Sequence, residues 1–272
     1  MPELPEIASR AREMHAALPG KTIHSIEVLQ PKCLNIPVEG FIGGLTGATI
    51  EEVTYRGKWI LTRTNQGWLL LNLGMGGEIL LTTRAALPAK YRLIFDFTDG
   101  SCLTINFWWF GYAHYASLDG IGSHEPTAKL GIDALQVTPA ELARLFRGQR
   151  GKVKMLLLDQ SRISGIGNAY IHDILFFARI HPLRPANSLS PAEMDALAQG
   201  IQRGLRPSLE KGGAFYEQTL HGERGGFLEQ DVVIGYREGT PCPICGTPIL
   251  KIKTGGTSSF ICPTCQPLEP RL

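Results

Sequence analysis

The hydrophobic pattern changes its period along the chain. Near the start, Ile7, Ala11, Met14 and Leu18 recur at steps of three or four, one face of a helix that Pro19-Gly20 ends. Between residues 21 and 115, short runs rich in Ile, Val, Leu, Thr and aromatics alternate with Gly, Asn and Asp. The runs fall at 22–29, 49–55, 59–64, 68–73, 78–82, 91–97 and 102–107. About seven or eight strands at this spacing predict an antiparallel β-sandwich, with Asn65-Gln66-Gly67 and Thr98-Asp99-Gly100 as tight turns.

Residues 116–137 carry Gly120, Gly122, Pro126 and Gly131 without a sustained period and read as a linker. Thr138-Pro139-Ala140-Glu141 is a helix start: a threonine cap, proline in the first position and glutamate in the third. Ser190-Pro191-Ala192-Glu193 repeats that logic, so a helical region is expected to about Gly212. Residues 212–239 are glycine-rich and polar. The expected fold class is α+β and multidomain. It comprises an N-terminal β-sandwich with a flanking helix over residues 1–130, a helical domain over 138–235 and a small C-terminal module over 236–272.

That last module follows from cysteine spacing. Cys242-Pro243-Ile244-Cys245 and Cys262-Pro263-Thr264-Cys265 are two C-x-x-C pairs sixteen residues apart. Each pair offers two thiolates on a tight knuckle, and four together make a closed tetrahedral Zn²⁺ site with no place for substrate, hence a structural one. Residues 249–253 and 259–261 would be the strands of a hairpin. Cys33 and Cys102 are isolated and read as buried free thiols. Thiols used this way point to a reducing compartment.

Charge adds less. The chain has 272 residues and a formal net charge of +2, so any nucleic-acid surface must be local. One candidate exists: Arg144, Arg147, Arg150, Lys152, Lys154 and Arg162 lie against a single acid, Asp159. This is either a solvated helix face or a sequence-independent phosphate-binding patch. No apolar run is long enough to span a membrane, and Glu3, Glu6, Arg10, Arg12 and Glu13 stand where a signal peptide needs apolar residues.

The first residues hold candidate chemistry. Pro2 is small enough for methionine removal, which would expose a secondary amine. An α-amino group titrates near ~8, so part of it is neutral and nucleophilic at neutral pH. Attack on a sugar aldehyde carbon gives an iminium ion, an electron sink for elimination, and Glu3 beside it is a possible proton shuttle. Pro2 and Pro5 also suit the first turn of a helix, and the two readings are compatible.

Met1-Pro2-Glu3-Leu4-Pro5-Glu6, Arg56-Gly57-Lys58, Gly165-Ile166-Gly167-Asn168 and the paired cysteines with trailing Gln266 occur in one order. In that order they resemble the formamidopyrimidine-DNA glycosylase and endonuclease VIII family, over nearly the whole chain. The resemblance implies a helix–two-turn–helix in the helical domain and a zinc finger after it. It implies a monomeric DNA glycosylase and AP lyase, cytoplasmic and nucleoid-associated, acting on duplex DNA with a damaged base or an abasic site. Pro2 is then the nucleophile, Glu3 the proton shuttle and Lys58 an acid during elimination. Met75, between glycines, matches a wedge that fills the gap left by a flipped base. Lys154 and Asn168 match residues that grip phosphates, Asn168 opening the next helix.

Two departures stand out. In Asn106-Phe107-Trp108-Trp109-Phe110-Gly111, Phe110 and Gly111 match the family, but Trp108 replaces an arginine that reads the base opposite the lesion. Tryptophan can stack on a base or pack in a core, but it has no guanidinium. Thr257 stands where the family has a hairpin arginine linked to δ-elimination, which leaves β-elimination favoured. Lys251 and Lys253 are the only basic residues in the hairpin. These departures keep alive an alternative: a non-catalytic or AP-lyase-only DNA-damage-binding protein on the same scaffold.

Overall fold

The computed structural model describes residues 1–108 and 110–268; Trp109 and residues 269–272 lie outside them. The chain forms two compact units, Met1–Lys129 with Lys211–Phe227, and Leu130–Glu210 with Leu228–Leu272.

The first unit begins with α1, Leu4–Ala17. Leu4, Ile7, Ala11 and Met14 on its inner face are buried, as the period predicts. The strands are β1 (Ile23–Val28), β2 (Ile50–Arg56), β3 (Trp59–Thr64), β4 (Trp68–Asn72), β5 (Glu78–Thr83), β6 (Leu93–Phe97), β7 (Ser101–Asn106) and β8 (Tyr112–Ala116). Two antiparallel four-stranded sheets result, in the orders β1-β6-β7-β5 and β2-β3-β4-β8. One core joins Ile7 and Met14 of the helix, and Leu18 that caps its end, to Ile26, Phe41, Ile60, Leu71, Phe95 and Ile105. A side chain of this size contributes about 1.5–3 kcal/mol when fully buried.

One element was not anticipated. Val38–Leu45 is a helix, α2, that buries Phe41 and Leu45. Its sequence, Val-Glu-Gly-Phe-Ile-Gly-Gly-Leu, is glycine-rich and short, so local propensity argues against it. Packing of those two side chains into the core overrides propensity. Residues 116–137 are also more than a linker: they hold the short helix α3 (Glu125–Ala128) and the strand β9 (Ile132–Asp133).

The second unit contains α4 (Pro139–Phe146), α5 (Val153–Leu158), β10 (Ile163–Ser164), α6 (Ile171–Phe177) and α7 (Pro191–Glu210). Both expected caps form. Glu141 N donates to Thr138 Oγ1 at 3.3 Å and Thr138 N to Glu141 Oε2 at 2.8 Å. Glu193 N donates to Ser190 Oγ at 3.3 Å and Ser190 N to Glu193 Oε2 at 2.8 Å. The hairpin β11 (Leu250–Thr254) and β12 (Thr257–Ile261) turns at Gly255-Gly256. It shares a core with α6 through Phe176, Ile249 and Phe260. Gln266, fully buried, fastens this module: its Nε2 donates to Ile180 O at 2.9 Å and its Oε1 accepts from Cys262 N at 3.1 Å.

Candidate active site and nucleic-acid interface

In the first unit, Met1 is half exposed whereas Pro2 is buried. Loss of Met1 therefore moves the terminal amine from solvent into a buried place. Glu3 is the N-cap of α1 and Pro5 stands in its first turn. Glu3 N donates to Glu6 Oε2 at 2.9 Å, which fixes the direction in which the chain enters the helix. Both carboxylates are buried, at 4% exposure each.

Lys58 comes to the same place from the sheet. Gly57 and Lys58 are the two-residue turn between β2 and β3, whose last pair is Arg56 with Trp59. Gly57 has φ 56°, the left-handed value such a turn needs at its first position. Asn72 Nδ2 donates to Lys58 O at 3.1 Å and holds the turn. Burial lowers the Lys58 ammonium from its usual range, while Glu3 and then Glu6 oppose that fall. The charges of Glu3 and Glu6 thus act on Lys58, although more than fifty residues separate them in sequence.

Met75 lies 48% exposed between Gly74 and Gly76, both at positive φ. It does not fold back onto the core. Its loop is drawn tight at Gly77, where a Cβ would sit 2.1 Å from Leu73 O. Trp108 is 73% exposed and Phe110 62% exposed, so Trp108 is a surface side chain and not a packing residue. Between their neighbours Phe107 and Gly111 the fit is close: a Cβ on Gly111 would meet the buried Phe107 ring at 1.8 Å. Phe110 itself has φ 56°, a strained value for a phenylalanine. The Met75 and Trp108 loops also touch, since a Cβ on Gly76 would lie 3.3 Å from Trp108 Cβ. Met75 and Trp108 therefore stand out from adjoining loops and Phe110 is exposed as well, three apolar side chains that a core would normally hide.

In the second unit the basic patch divides. Arg144, Arg147, Arg150 and Lys152 are exposed, whereas Arg162 pairs with Asp159 at 3.0 Å. Lys154 is fully buried. Its Nζ donates to Ser258 O at 2.6 Å, Thr257 Oγ1 at 3.0 Å and Thr254 Oγ1 at 3.2 Å. A lysine of α5 thus brings positive charge to the hairpin turn at Thr257, which no spacing in the sequence shows. Burial lowers it to about 8.

Asn168 is exposed in the turn after Gly165-Ile166-Gly167, but it does not open a helix. The helix begins three residues later, at Ile171. Gln160, unnoticed in the sequence, staples the preceding turn: its Oε1 accepts from Gly165 N at 2.9 Å and its Nε2 donates to Ile166 O at 2.8 Å. This staple, with Gly165 at φ 107°, fixes the turn just before Asn168. Asp173 was also missed; it accepts from the backbone N–H groups of Val233, Ile234 and Gly235 at 2.8, 2.9 and 3.0 Å.

The four module cysteines meet, with all Sγ atoms within 4.8 Å of one another. Cys245 Sγ lies 3.4 Å from Cys262 Sγ and 3.6 Å from Cys265 Sγ, and Cys242 Sγ lies 3.9 Å from Cys265 Sγ. Zinc at ~2.3 Å from each sulfur has tetrahedral edges of about 3.8 Å, so the cluster fits one structural Zn²⁺.

A capped N-terminal helix on a two-sheet sandwich, a stapled helical turn and a four-cysteine hairpin define the architecture of a DNA-repair glycosylase. Comparison with known proteins agrees throughout the chain. Residues 1–106 match the formamidopyrimidine-DNA glycosylase N-terminal domain, 130–219 the H2TH domain of the same enzymes and 239–268 the zinc finger found in FPG and IleRS. The chain is 36% identical to the formamidopyrimidine-DNA glycosylase of an Exiguobacterium species, covering 98% of this chain and 99% of that one. It is 34% identical to that of Symbiobacterium thermophilum, covering 98% and 90%. Among solved structures, a Lactococcus lactis enzyme variant bound to Fapy-dG-containing DNA superposes with a TM-score of 0.90 at 28% identity, over 98% of this chain and all of that one. The L. lactis enzyme with abasic-site DNA gives 0.89 at 28% identity, over 97% and 99%. The chain belongs to the formamidopyrimidine-DNA glycosylase family. No helix among the described residues is long and apolar enough to cross a membrane.

Proposed function

We propose that the chain is a bifunctional DNA glycosylase and AP lyase of base excision repair that uses Pro2 as its nucleophile. The observation that carries this is the buried Pro2 beside Glu3, with Lys58 delivered to the same two acids by a sheet turn. The neutral Pro2 amine attacks the sugar C1′ of a damaged or abasic nucleotide in duplex DNA while Glu3 moves protons. The base leaves, an iminium joins protein to DNA, and loss of a C2′ proton expels the 3′ phosphate with Lys58 assisting. Met75 and Phe110 fill the space of the flipped nucleotide. Trp108 stacks without reading base edges, so the opposite base is poorly discriminated. Asn168 holds a phosphate while the buried Lys154 charge acts on phosphate through the hairpin turn it braces, Cys242, Cys245, Cys262 and Cys265 hold the zinc, and the protein works as a monomer with the nucleoid in the cytoplasm. With Thr257 in the hairpin, β-elimination dominates.

The test is borohydride trapping on duplex DNA containing one abasic site, with protein shown by mass to lack Met1. A covalent complex is expected from the wild type and not from Pro2→Gly. Without borohydride, a gel should show chiefly the unsaturated-sugar end of β-elimination. DNA binding without trapping would instead establish a damage-binding protein.

A further inference from the structure

Segment 211–227 packs against α1 in register with one face of that helix. Ala214 N donates to Glu6 Oε1 at 3.2 Å and Leu220 N donates to Glu13 Oε2 at 2.7 Å. Glu6, Arg10 and Glu13 stand at i, i+4 and i+7, so they line a single helix face. The segment is therefore strapped at both ends, and Glu217 is held between the straps opposite Arg10. Two further bonds shape this turn: Glu217 N donates to Ala214 O at 2.9 Å and Gly225 N donates to Glu217 O at 3.1 Å. Glycine is required for the approach, since a Cβ on Gly225 would lie 2.3 Å from Gly213 O and one on Gly213 3.2 Å from Glu6 Cγ.

The charged groups acting on the Glu217 carboxyl are Glu6 and Arg10 of α1, Glu78 of β5 and the amino terminus of Met1, one residue before Pro2. Arg10 is itself buried and ion-paired to Glu13. The Glu6 carboxylate joins this segment to the start of the chain: its Oε1 accepts from Ala214 N and its Oε2 from the N–H of Glu3, the residue after the Pro2 that, on the reading above, bonds to C1′. The base departs from that same carbon.

We propose that Glu217 is the general acid that protonates the departing base, an assignment that rests on the lyase–glycosylase reading of the Pro2 site. As the Pro2 nitrogen bonds to C1′, the electron pair of the N-glycosidic bond passes to the base. The Glu217 O–H breaks and its proton goes to a base nitrogen, leaving a carboxylate that solvent reprotonates. Burial, and then the negative charge of Glu6, push this carboxyl up to about 7, so a large fraction of it holds the proton at neutral pH. Glu3 differs in being tied into the start of the helix beside the amine.

The two halves of the reaction separate this role from a structural one, because an abasic site has no base to protonate. The substrates are a duplex with one Fapy-dG and a duplex with one abasic site, with Met1-free wild type, Glu217→Gln and Glu217→Asp. Glu217→Gln is expected to lose Fapy-dG excision by about a hundredfold, the scale of general acid catalysis, while abasic-site trapping stays within about threefold. Wild-type excision should fall as pH rises through about 7, because the protonated acid is consumed. That falling limb should vanish in Glu217→Gln and persist in Glu217→Asp. The assignment is overturned if excision and trapping fall together in both variants, if the falling limb survives in Glu217→Gln, or if the wild type traps abasic DNA yet never releases the Fapy base. Absence of trapping by the wild type would instead sink the Pro2 reading, and this one with it.

Discussion

Replacing Lys154 by methionine separates what this protein needs to fold from what it needs to bind. The Lys154 ammonium is fully buried, and its three hydrogen bonds go to the neutral oxygens of Thr254, Thr257 and Ser258. Burial lowers it from 10.5 to about 8. At ~1.36 kcal/mol per unit this is a penalty of roughly 3 kcal/mol, and about 2 after allowance for screening by solvent around the turn. Methionine keeps most of the volume and removes the penalty. It leaves Ser258 O without its lysine partner, at a cost of ~1–3 kcal/mol. Thr254 Oγ1 loses less, since it also contacts Ser259 Oγ at 2.8 Å.

The two effects nearly cancel, so Lys154→Met should unfold within about 1 kcal/mol of wild type at pH 7. The sign of the pH dependence follows from linkage. Below pH 8 the lysine is charged in folded and unfolded chains alike, and the penalty is present in full. Between pH 8 and 10.5 the folded protein releases the proton first, so wild-type stability rises relative to the methionine variant. The assay is urea denaturation at fixed free zinc, followed by far-UV circular dichroism. Tryptophan emission would report the wrong unit, since Trp59, Trp68 and Trp108, the tryptophans among the described residues, all lie in the first. Abasic-DNA affinity should fall about tenfold, and its salt slope by about one contact. A loss above ~3 kcal/mol with unchanged DNA affinity would refute this account and make Lys154 a structural latch.

Two further outcomes follow from the geometry. Chelation of zinc should abolish DNA binding, because the sulfur cluster fixes the hairpin that Lys154 and Gln266 engage; circular dichroism should lose the second unit's signal while tryptophan emission is preserved. Trp108→Ala should weaken abasic-DNA binding by about 1–3 kcal/mol, the scale of one base–aromatic stack, and by a similar amount whichever of the four bases stands opposite; equilibrium titration with four duplexes checks this, and a base-dependent loss would contradict the stacking role.

Much of the architecture was legible because it rests on local rules. The helix caps at Thr138 and Ser190 need only residues three apart, and both form as their spacing predicts. The sandwich strands alternate and end at turns, so they could be read one by one. The helix α2 was not legible, because burial of Phe41 and Leu45 outweighs a poor local sequence. Nor was the turn ahead of α6, which Gln160 staples by bonding across five and six residues. Glu217 carried no motif at all. Its significance comes from Glu6 and Glu13, which lie more than two hundred residues earlier in the chain.

The sequence by itself determined the family, the order of elements, the identity of the metal ligands and the candidate nucleophile, because motifs and periodicities are relations between near neighbours. The tertiary structure decided which of those side chains are exposed and which distant charges act on one another. It placed Trp108 outside and Lys154 inside, and it brought Lys154 to the hairpin turn at Thr257, about a hundred residues away in sequence. It also set Glu217 among Glu6, Arg10 and Glu78. Burial and electrostatics depend on what surrounds a group in space, and that environment is assembled from segments that no local pattern connects.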